Sequence, residues 1–142
     1  MISPTEEIKV MKPEDMNAAF AYAFNSGNIE LLLALYEPDS ILMDLTNQRV
    51  QGMDGIRTTL AQLLKLQGRM VSTNIYCLPF ENIALLRAHF ILHTVKEDGT
   101  PSQIEGHTTE IVRKQPDDRW LYIVDHPFGA DPLQAAGPEQ HP

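Results

Sequence analysis

The first third of the chain has hydrophobic residues at the spacing of short helices. Pro13 and two acids make a first turn, and apolar residues then recur three and four positions apart, which predicts a first helix. The polar segment 25–28 ends that helix. Gly27 suits a left-handed C-cap, and Asn28 suits the N-cap of a short second helix through Leu35. Two helices are therefore expected to meet at a tight corner.

A third helix follows a short pair of strands. The pattern predicts a strand over 41–45, a return over 49–51, and then a helix that begins near Gly52 and ends at Gly68. The apolar residues of this helix lie on one face and are Ile56, Leu60, Leu63 and Leu64.

From Arg69 onwards the pattern is that of strands. Four long apolar segments, separated by turn residues, cover 70–79, 83–95, 103–114 and 120–126. They predict an antiparallel meander. Because some segments are apolar on both faces, one face of the sheet is expected to curve over the helices and the other to meet a second subunit. We therefore expect a homodimer formed through the sheet.

Length and charge narrow the classes of partner. The 142 residues predict one domain over 13–129, with an extension over 1–12 and a flexible tail over 130–142. The formal net charge is −8, and the largest basic cluster is the pair Arg113 and Lys114, which disfavours nucleic acid as a partner. No apolar run approaches the roughly 20 residues of a membrane span, and the N-terminus does not resemble a signal peptide. We expect a cytoplasmic protein without a membrane partner.

The turn between the last two strands sets their register. With Gln115 opposite Trp120, the register pairs Glu110 directly with Asp125. The other pairs in this register are Arg113 with Tyr122 and Ile111 with Val124. Side chains alternate between the two faces of a strand, so four further residues are expected on the same face as the two acids, and Tyr122 on the opposite face. The four residues are Thr108, Val112, Leu121 and Ile123.

Glu110 and Asp125 are expected to lie in a dry environment, because both faces of these strands are largely apolar. Two carboxylates about 5 Å apart cannot both ionise there at low cost, so one should hold a proton near neutral pH. A neutral carboxylic acid can donate a hydrogen bond to a substrate oxygen. The alternative is that Arg87 or a histidine neutralises one acid, and that the pair only stabilises the sheet.

The histidines do not form a recognised metal-binding motif. His89 and His93 lie four residues apart, which is about 13 Å along a strand. A site of His89, His107 and His126 is conceivable from their shared face, but no further ligand spacing supports it, and we expect neither a metal nor a cofactor. His126 follows Asp125 at the end of the last strand and is expected at the mouth of a pocket.

Five short motifs share the order and spacing of one family. They are Asn25-Ser-Gly-Asn-Ile-Glu30, Leu35-Tyr-Glu-Pro-Asp39, Gly52-Met-Asp-Gly-Ile56, Asp118-Arg-Trp120 and Val124-Asp-His126. Through these motifs the chain resembles the SnoaL-like and ketosteroid-isomerase-like branch of the NTF2-like superfamily over nearly the whole predicted domain. The resemblance implies an α+β cone, in which a curved antiparallel sheet wraps around N-terminal helices and encloses a pocket.

The resemblance also implies site residues. The general base of ketosteroid isomerases is an aspartate eight residues beyond the tyrosine that ends the second helix, and counting from Tyr36 this position is Asp44. The protonated carboxylate of the family's oxyanion hole corresponds to Glu110. The tyrosine of that hole corresponds to Phe20, which cannot donate a hydrogen bond, and an alanine of the pocket corresponds to Asp125. Acid–base chemistry is therefore implied, but steroid isomerase activity is not expected.

Asp44 also has a purely structural interpretation. An aspartate at the end of a strand often begins a turn, and the polar residues Thr46-Asn-Gln48 follow it here. The sequence leaves both interpretations open.

Two functions remain. The first is an isomerase, cyclase or hydratase-type enzyme in which Asp44 takes a proton and the pair Glu110 and Asp125 supplies one, with a small, apolar, oxygen-bearing substrate. Its expected substrate-binding residues are Phe20, Ile56, Leu60, Phe90, Ile123 and His126. The second is a non-catalytic module for ligand binding or dimerisation, which a cavity below about 300 Å³ would favour.

Overall fold

The computed structural model describes residues 7–132. Residues 1–6 of the predicted extension and most of the predicted tail, 133–142, lie outside the described residues. A single turn of 3₁₀ helix at Pro13–Asp15 precedes the regular elements. These are α1 (Met16–Ser26), α2 (Ile29–Leu33), β1 (Tyr36–Met43), β2 (Arg49–Gln51), α3 (Met53–Leu64), β3 (Arg69–Phe80), β4 (Ile83–Val95), β5 (Pro101–His107), β6 (Thr109–Lys114) and β7 (Trp120–His126).

The strands form one curved sheet in the order β2-β1-β7-β6-β4-β3, and β5 pairs with β4 beside β6. The α+β cone predicted from the sequence is confirmed. One pairing differs from the predicted antiparallel sheet, because β1 runs parallel to β7. This pairing joins the two ends of the described fold, since β2, α3 and four further strands lie between β1 and β7 along the chain.

The predicted strand 103–114 is two strands, divided at Thr108. The backbone of Thr108 donates to the carbonyl of Ala88, and the Thr108 hydroxyl accepts from the Ala88 amide. This side-chain bond replaces a ladder bond and turns the chain, so that β5 and β6 pair with different parts of β4. The break places Thr108 and the start of β6 beneath α1.

The last hairpin contains a β-bulge that the sequence did not reveal. Glu110 pairs with Asp125 and Ile111 with Val124, as predicted, but Val112 rather than Arg113 lies opposite Tyr122. Lys114 rather than Gln115 lies opposite Trp120. The predicted pairings of Gln115 with Trp120 and of Arg113 with Tyr122 are therefore wrong. Ile123 is the extra residue, and alternation restarts after it. Because of this shift, Tyr122 and Asp125 both face the core.

Two capped turns position the helices as predicted. Gly27 ends α1 in the left-handed conformation, with φ of 76°. The Asn28 side chain accepts from the amide of Glu30 and caps α2. The core between helices and sheet includes Met16 and Leu32 from the helices and Leu86 from β4, each fully buried. Among the described residues, no helix has the length and hydropathy needed to cross a membrane.

Asn25 fastens α1 to the edge of the sheet. Its side-chain amide donates to the carbonyl of Met70 at 2.9 Å, and its side-chain carbonyl accepts from the Met70 amide at 2.7 Å. One side chain therefore satisfies both backbone groups of a strand residue. This contact fixes the distance between α1 and β3, which both line the space beneath the helices.

We predict that Asn25→Ala lowers the free energy of unfolding by about 1–3 kcal/mol, because both backbone groups of Met70 lose their partner. Urea denaturation measures the effect. Asn82→Ala, at an exposed turn, serves as the control and should change stability by less than about 0.5 kcal/mol. Equal stability of the two variants would contradict the role given to Asn25.

Candidate active site

Two adjoining cavities lie between the concave face of the sheet and the helices. The inner cavity has a volume of about 50 Å³, and the outer one, between α3 and the β1–β2 turn, about 210 Å³. They share a wall formed by Phe20, Leu45, Leu63, Asp125 and Pro127. Apolar side chains make most of the inner surface. Its polar groups are those of Asn17, Ser72, Thr108, Glu110, Tyr122 and Asp125.

Glu110 lies in the inner cavity and is only 2% exposed. Its Oε1 accepts two hydrogen bonds, from Nδ2 of Asn17 at 3.1 Å and from the Thr108 hydroxyl at 2.8 Å. Asn17 is held in turn by Tyr122, whose hydroxyl donates to Oδ1 of Asn17 at 2.6 Å. Helix α1 and strand β7 are thus connected to Glu110 by hydrogen bonds between neutral side chains.

Asp125 lies opposite Glu110 and is 6% exposed. Its Oδ2 accepts a hydrogen bond of 2.5 Å from the Tyr36 hydroxyl. The ring of Tyr36 packs on that of Tyr122, with 4.9 Å between centroids. Burial, followed by the charge of Asp125, raises the pKa of both tyrosine hydroxyls well above the ordinary value, so both remain protonated donors.

Burial raises the pKa of both acids, but by different amounts. It raises the pKa of Glu110 to about 8, with a further contribution from the charge of Asp125, against the opposing hydrogen bonds from Thr108 and Asn17. It raises the pKa of Asp125 to about 6, opposed by the bond from Tyr36. At neutral pH the pair therefore holds one proton, which Glu110 binds more strongly than Asp125, and the two carboxyl groups titrate together.

The cationic partners considered for these acids are not found. Within residues 7–132, no arginine, lysine or histidine forms a salt bridge with Glu110 or Asp125. Arg87 has its Nε buried without a hydrogen-bond partner in the described part of the chain. Both acids are instead stabilised by neutral donors, which leaves one of them able to keep its proton.

Asp44 takes the structural role that the sequence left open. Its Oδ1 accepts from the Thr46 amide, the Thr46 hydroxyl and the Gln48 amide, and so caps the β1–β2 turn. The Thr46 hydroxyl, followed by the amide of Gln48, lowers the pKa of Asp44. Asp44 lines the outer cavity and is absent from the inner one. A carboxylate held in this way is a weaker base than the family resemblance implied.

The remaining predicted contact residues separate into three groups. Phe20 and Phe90 line the inner cavity, and Leu60 lines the outer one. Ile56 is fully buried in the core and lines neither cavity. Ile123 lines neither cavity, because the bulge turns it out of the core-facing alternation and places Tyr122 there instead. His126, predicted at the mouth of the pocket, also lines neither cavity.

The sequence prediction missed Asn17, Tyr36 and Tyr122 as polar groups of the site. Asn17 carried a recognisable signal, since it is a lone amide one turn before Phe20 on the apolar side of α1. Tyr122 was assigned to the wrong face by the unforeseen bulge. Tyr36 served only as a reference position for Asp44.

Two of the histidines contact each other rather than Glu110 or Asp125. His89 and His107 pair across β4 and β5 with their rings stacked at 4.7 Å, and His89 also contacts Glu105 at 2.5 Å. Among the described residues, no group of three histidine, cysteine or acidic side chains could hold a metal ion.

We predict that stability falls as the pH rises, because Glu110 has a native pKa near 8 against 4.5 for an ordinary glutamate. Between these values the native state binds more protons than the unfolded state, and a tenfold difference in proton affinity corresponds to about 1.4 kcal/mol. Glu110→Gln imitates the protonated acid and should reduce this loss, most clearly at pH 8–9. Urea denaturation at pH 5, 7 and 9 tests it, with exposed Glu97→Gln as control. A pH profile that Glu110→Gln leaves unchanged would contradict the assignment.

Solved structures share this fold at low sequence identity. A candidate calcium/calmodulin-dependent protein kinase II association domain from Xanthomonas campestris has a TM-score of 0.71 and 18% identity, covering 94% of this chain and 100% of its own. An NTF2-like superfamily protein from Salmonella enterica serovar Typhimurium has a TM-score of 0.71 and 13% identity, covering 87% and 92%. A ketosteroid isomerase-like protein from Erwinia carotovora atroseptica has a TM-score of 0.69 and 17% identity, covering 79% and 88%.

These similarities show the NTF2-like fold. Among curated proteins, none is significantly similar in sequence to this chain. Residues 17–123, which include most of α1, Glu110 and part of β7, match the SnoaL-like domain. The chain therefore belongs to the SnoaL-like domain family.

Proposed function

We propose that the protein is an enzyme that transfers protons on a small, apolar carbonyl or hydroxylated compound, using its own carboxyl groups and no cofactor. The observation that carries this proposal is the buried pair of Glu110 and Asp125, which line one largely apolar cavity and form no salt bridge with any described residue. The raised pKa values of the two acids, about 8 and about 6, support it. Carboxyl groups with separated pKa values are suited to the roles of acid and base.

In this proposal Asp125 is the base. Its native pKa near 6 keeps it charged at neutral pH and still basic enough to accept a proton. It removes a proton from a carbon beside a carbonyl group, the electron pair moves into a new carbon–carbon double bond, and the carbonyl oxygen takes the proton of Glu110. The product of this step is an enol. If the substrate is a β,γ-unsaturated ketone, this enol is a dienol. Transfer of the proton from Asp125 to its γ carbon, with return of the enol proton to Glu110, regenerates the carbonyl group, leaves the double bond in the α,β position and completes an isomerisation.

The volumes of the cavities limit the substrate. An apolar cavity of about 150 Å³ accommodates benzene, and the outer cavity alone has about 210 Å³. The inner cavity, at about 50 Å³, accommodates only the reacting end of such a molecule. We therefore propose a substrate near the size of one ring, whose oxygen-bearing end reaches the acids past Phe20.

A second function has one observation in its favour. Each cavity is smaller than the roughly 300 Å³ typical of a drug-sized ligand site. The same residues could therefore form a small binding module in which Glu110 and Asp125 fix a ligand oxygen without any proton transfer. Proton transfer itself distinguishes the two functions.

We predict that the protein catalyses exchange of α-protons for deuterium in small cyclic ketones and hydroxyketones, followed by NMR in D₂O. Asp125→Asn should slow exchange by about 10²–10⁴-fold, because it removes the base. Glu110→Gln should slow it less, because an amide still donates a hydrogen bond. Asp44→Asn should stay within about threefold of the wild type, because Asp44 is held in its turn. Ligand binding without exchange in the wild type would favour the binding module.

We also propose that a second copy of the chain covers an apolar patch on the outer face of the sheet. The patch consists of Tyr76, Leu78, Phe80, Ile83 and Leu85, which are 36–69% exposed. Leu78 pairs with Leu85 and Phe80 with Ile83, so these side chains share one face. An identical patch on a second copy is complementary in character, and one structural neighbour is named an association domain.

We predict a dimer by light scattering at micromolar concentration and a monomer for Leu78→Lys. Val95→Lys is the matched control, because Val95 is 67% exposed at the far end of β4 and outside the patch. This variant should remain dimeric. A monomeric wild type, or equal effects of the two lysines, would contradict the proposal.

A further inference from the structure

We propose that Glu110 offers its proton to a ligand through Oε2 alone, and that Asn17 and Thr108 are the positioning residues that fix it there. The inference rests on the proposed function, in which Glu110 is the acid. It goes further by assigning the proton to one oxygen and by naming the groups that decide the assignment.

Thr108 donates its hydroxyl hydrogen to Glu110. Its hydroxyl oxygen already accepts the backbone amide of Ala88 at 2.9 Å. Its own hydrogen is therefore directed to the other close polar atom, Oε1 of Glu110, at 2.8 Å. Thr108 is buried, so water does not compete for this bond.

Asn17 is oriented by Tyr122 in the same way. The Tyr122 hydroxyl remains protonated and donates to Oδ1 of Asn17 at 2.6 Å. That bond assigns the carbonyl end of the amide to Tyr122 and directs Nδ2 to Oε1 of Glu110, at 3.1 Å. The position of Tyr122 on β7 therefore determines which end of the Asn17 amide faces Glu110 on β6.

Two donors therefore converge on Oε1, and none of the described residues donates to or accepts from Oε2. In a neutral carboxylic acid the carbonyl oxygen is the acceptor and the hydroxyl oxygen the donor. Oε1 is consequently the carbonyl oxygen, and the proton lies on Oε2. Since Glu110 lines the inner cavity, the free hydroxyl is available to a ligand there.

Asp125 shows the same division of its two oxygens. Oδ2 accepts from the Tyr36 hydroxyl, while Oδ1 has no hydrogen bond to any described residue. The cavity thus presents one donor, Oε2–H of Glu110, and one acceptor, Oδ1 of Asp125, on neighbouring strands. The matching ligand has a carbonyl or phenol oxygen that accepts from Glu110, beside an acidic C–H or O–H that Asp125 can bind.

Infrared spectroscopy at pH 6.5 tests the assignment directly. The carbonyl stretch of the protonated acid is identified by its absence in Glu110→Gln. Removing a donor to Oε1 weakens hydrogen bonding to that carbonyl, so Thr108→Val and Asn17→Leu should each move the band to higher frequency. Thr108→Ser keeps the hydroxyl and should restore the wild-type position. Thr109→Val, which has no bond to Glu110 and lies in the adjacent position, should leave the band unchanged.

Each result decides one point. A band that stays in place in both Thr108→Val and Asn17→Leu would overturn the assignment, because an Oε1 that carries the proton has its free carbonyl at Oε2 in every variant. The proposed function would survive that result. Absence of any protonated-acid band at pH 6.5 would overturn the proposed acid as well. If Thr108→Val does not fold, Asn17→Leu and Thr108→Ser still decide the question.

Discussion

The site depends on one cross-strand pair, Glu110 and Asp125, whose carboxyl groups are both buried and have no cation beside them among the described residues. Burying two charges there would cost several kcal/mol, and the lower cost is to leave one acid protonated. The surrounding structure then has to supply neutral donors in fixed directions. The protonation state of Glu110 and Asp125 therefore depends on the geometry of the hydrogen bonds around them.

Those donors come from separate parts of the chain. Asn17 belongs to α1, Tyr36 to β1, and Thr108 to the break between β5 and β6. A site assembled from such distant segments forms only when the sheet curves and α1 packs across it. This dependence explains why Asn25, which binds both backbone groups of Met70, matters to the site as well as to the fold.

Much of the fold could be predicted because it follows from local chemistry. Gly27 and Asn28 marked the corner between the first helices, and alternation of apolar residues marked the strands. The pairing of Glu110 with Asp125 was also predicted, but from a starting pair one residue out of register. Lys114 rather than Gln115 lies opposite Trp120, and the extra residue Ile123 offsets that difference. The parallel pairing of β1 with β7 was not predicted, since it depends on contacts between residues far apart in sequence.

The differences between the predicted and the observed contacts of the site have the same origin. The bulge at Ile123 changes which side chains face the core, and nothing in the residues 120–126 marks its position. Asp44 satisfied the family spacing, but its turn requires its Oδ1, a use that sequence spacing does not reveal. Asn17 was the missed residue with a visible signal, an amide on an apolar helix face. A polar residue in an apolar stripe is therefore a useful marker when a pocket is predicted.

Site-resolved titration of the carboxyl groups by carbon-13 NMR tests the central claim most directly. Burial and the neighbouring charge should give Glu110 a pKa near 8, and burial should give Asp125 a pKa near 6, each with a response to the other's titration. Resonances are assigned with Glu110→Gln and Asp125→Asn. Titration of both groups near 4, about the value of exposed acids, would contradict the account.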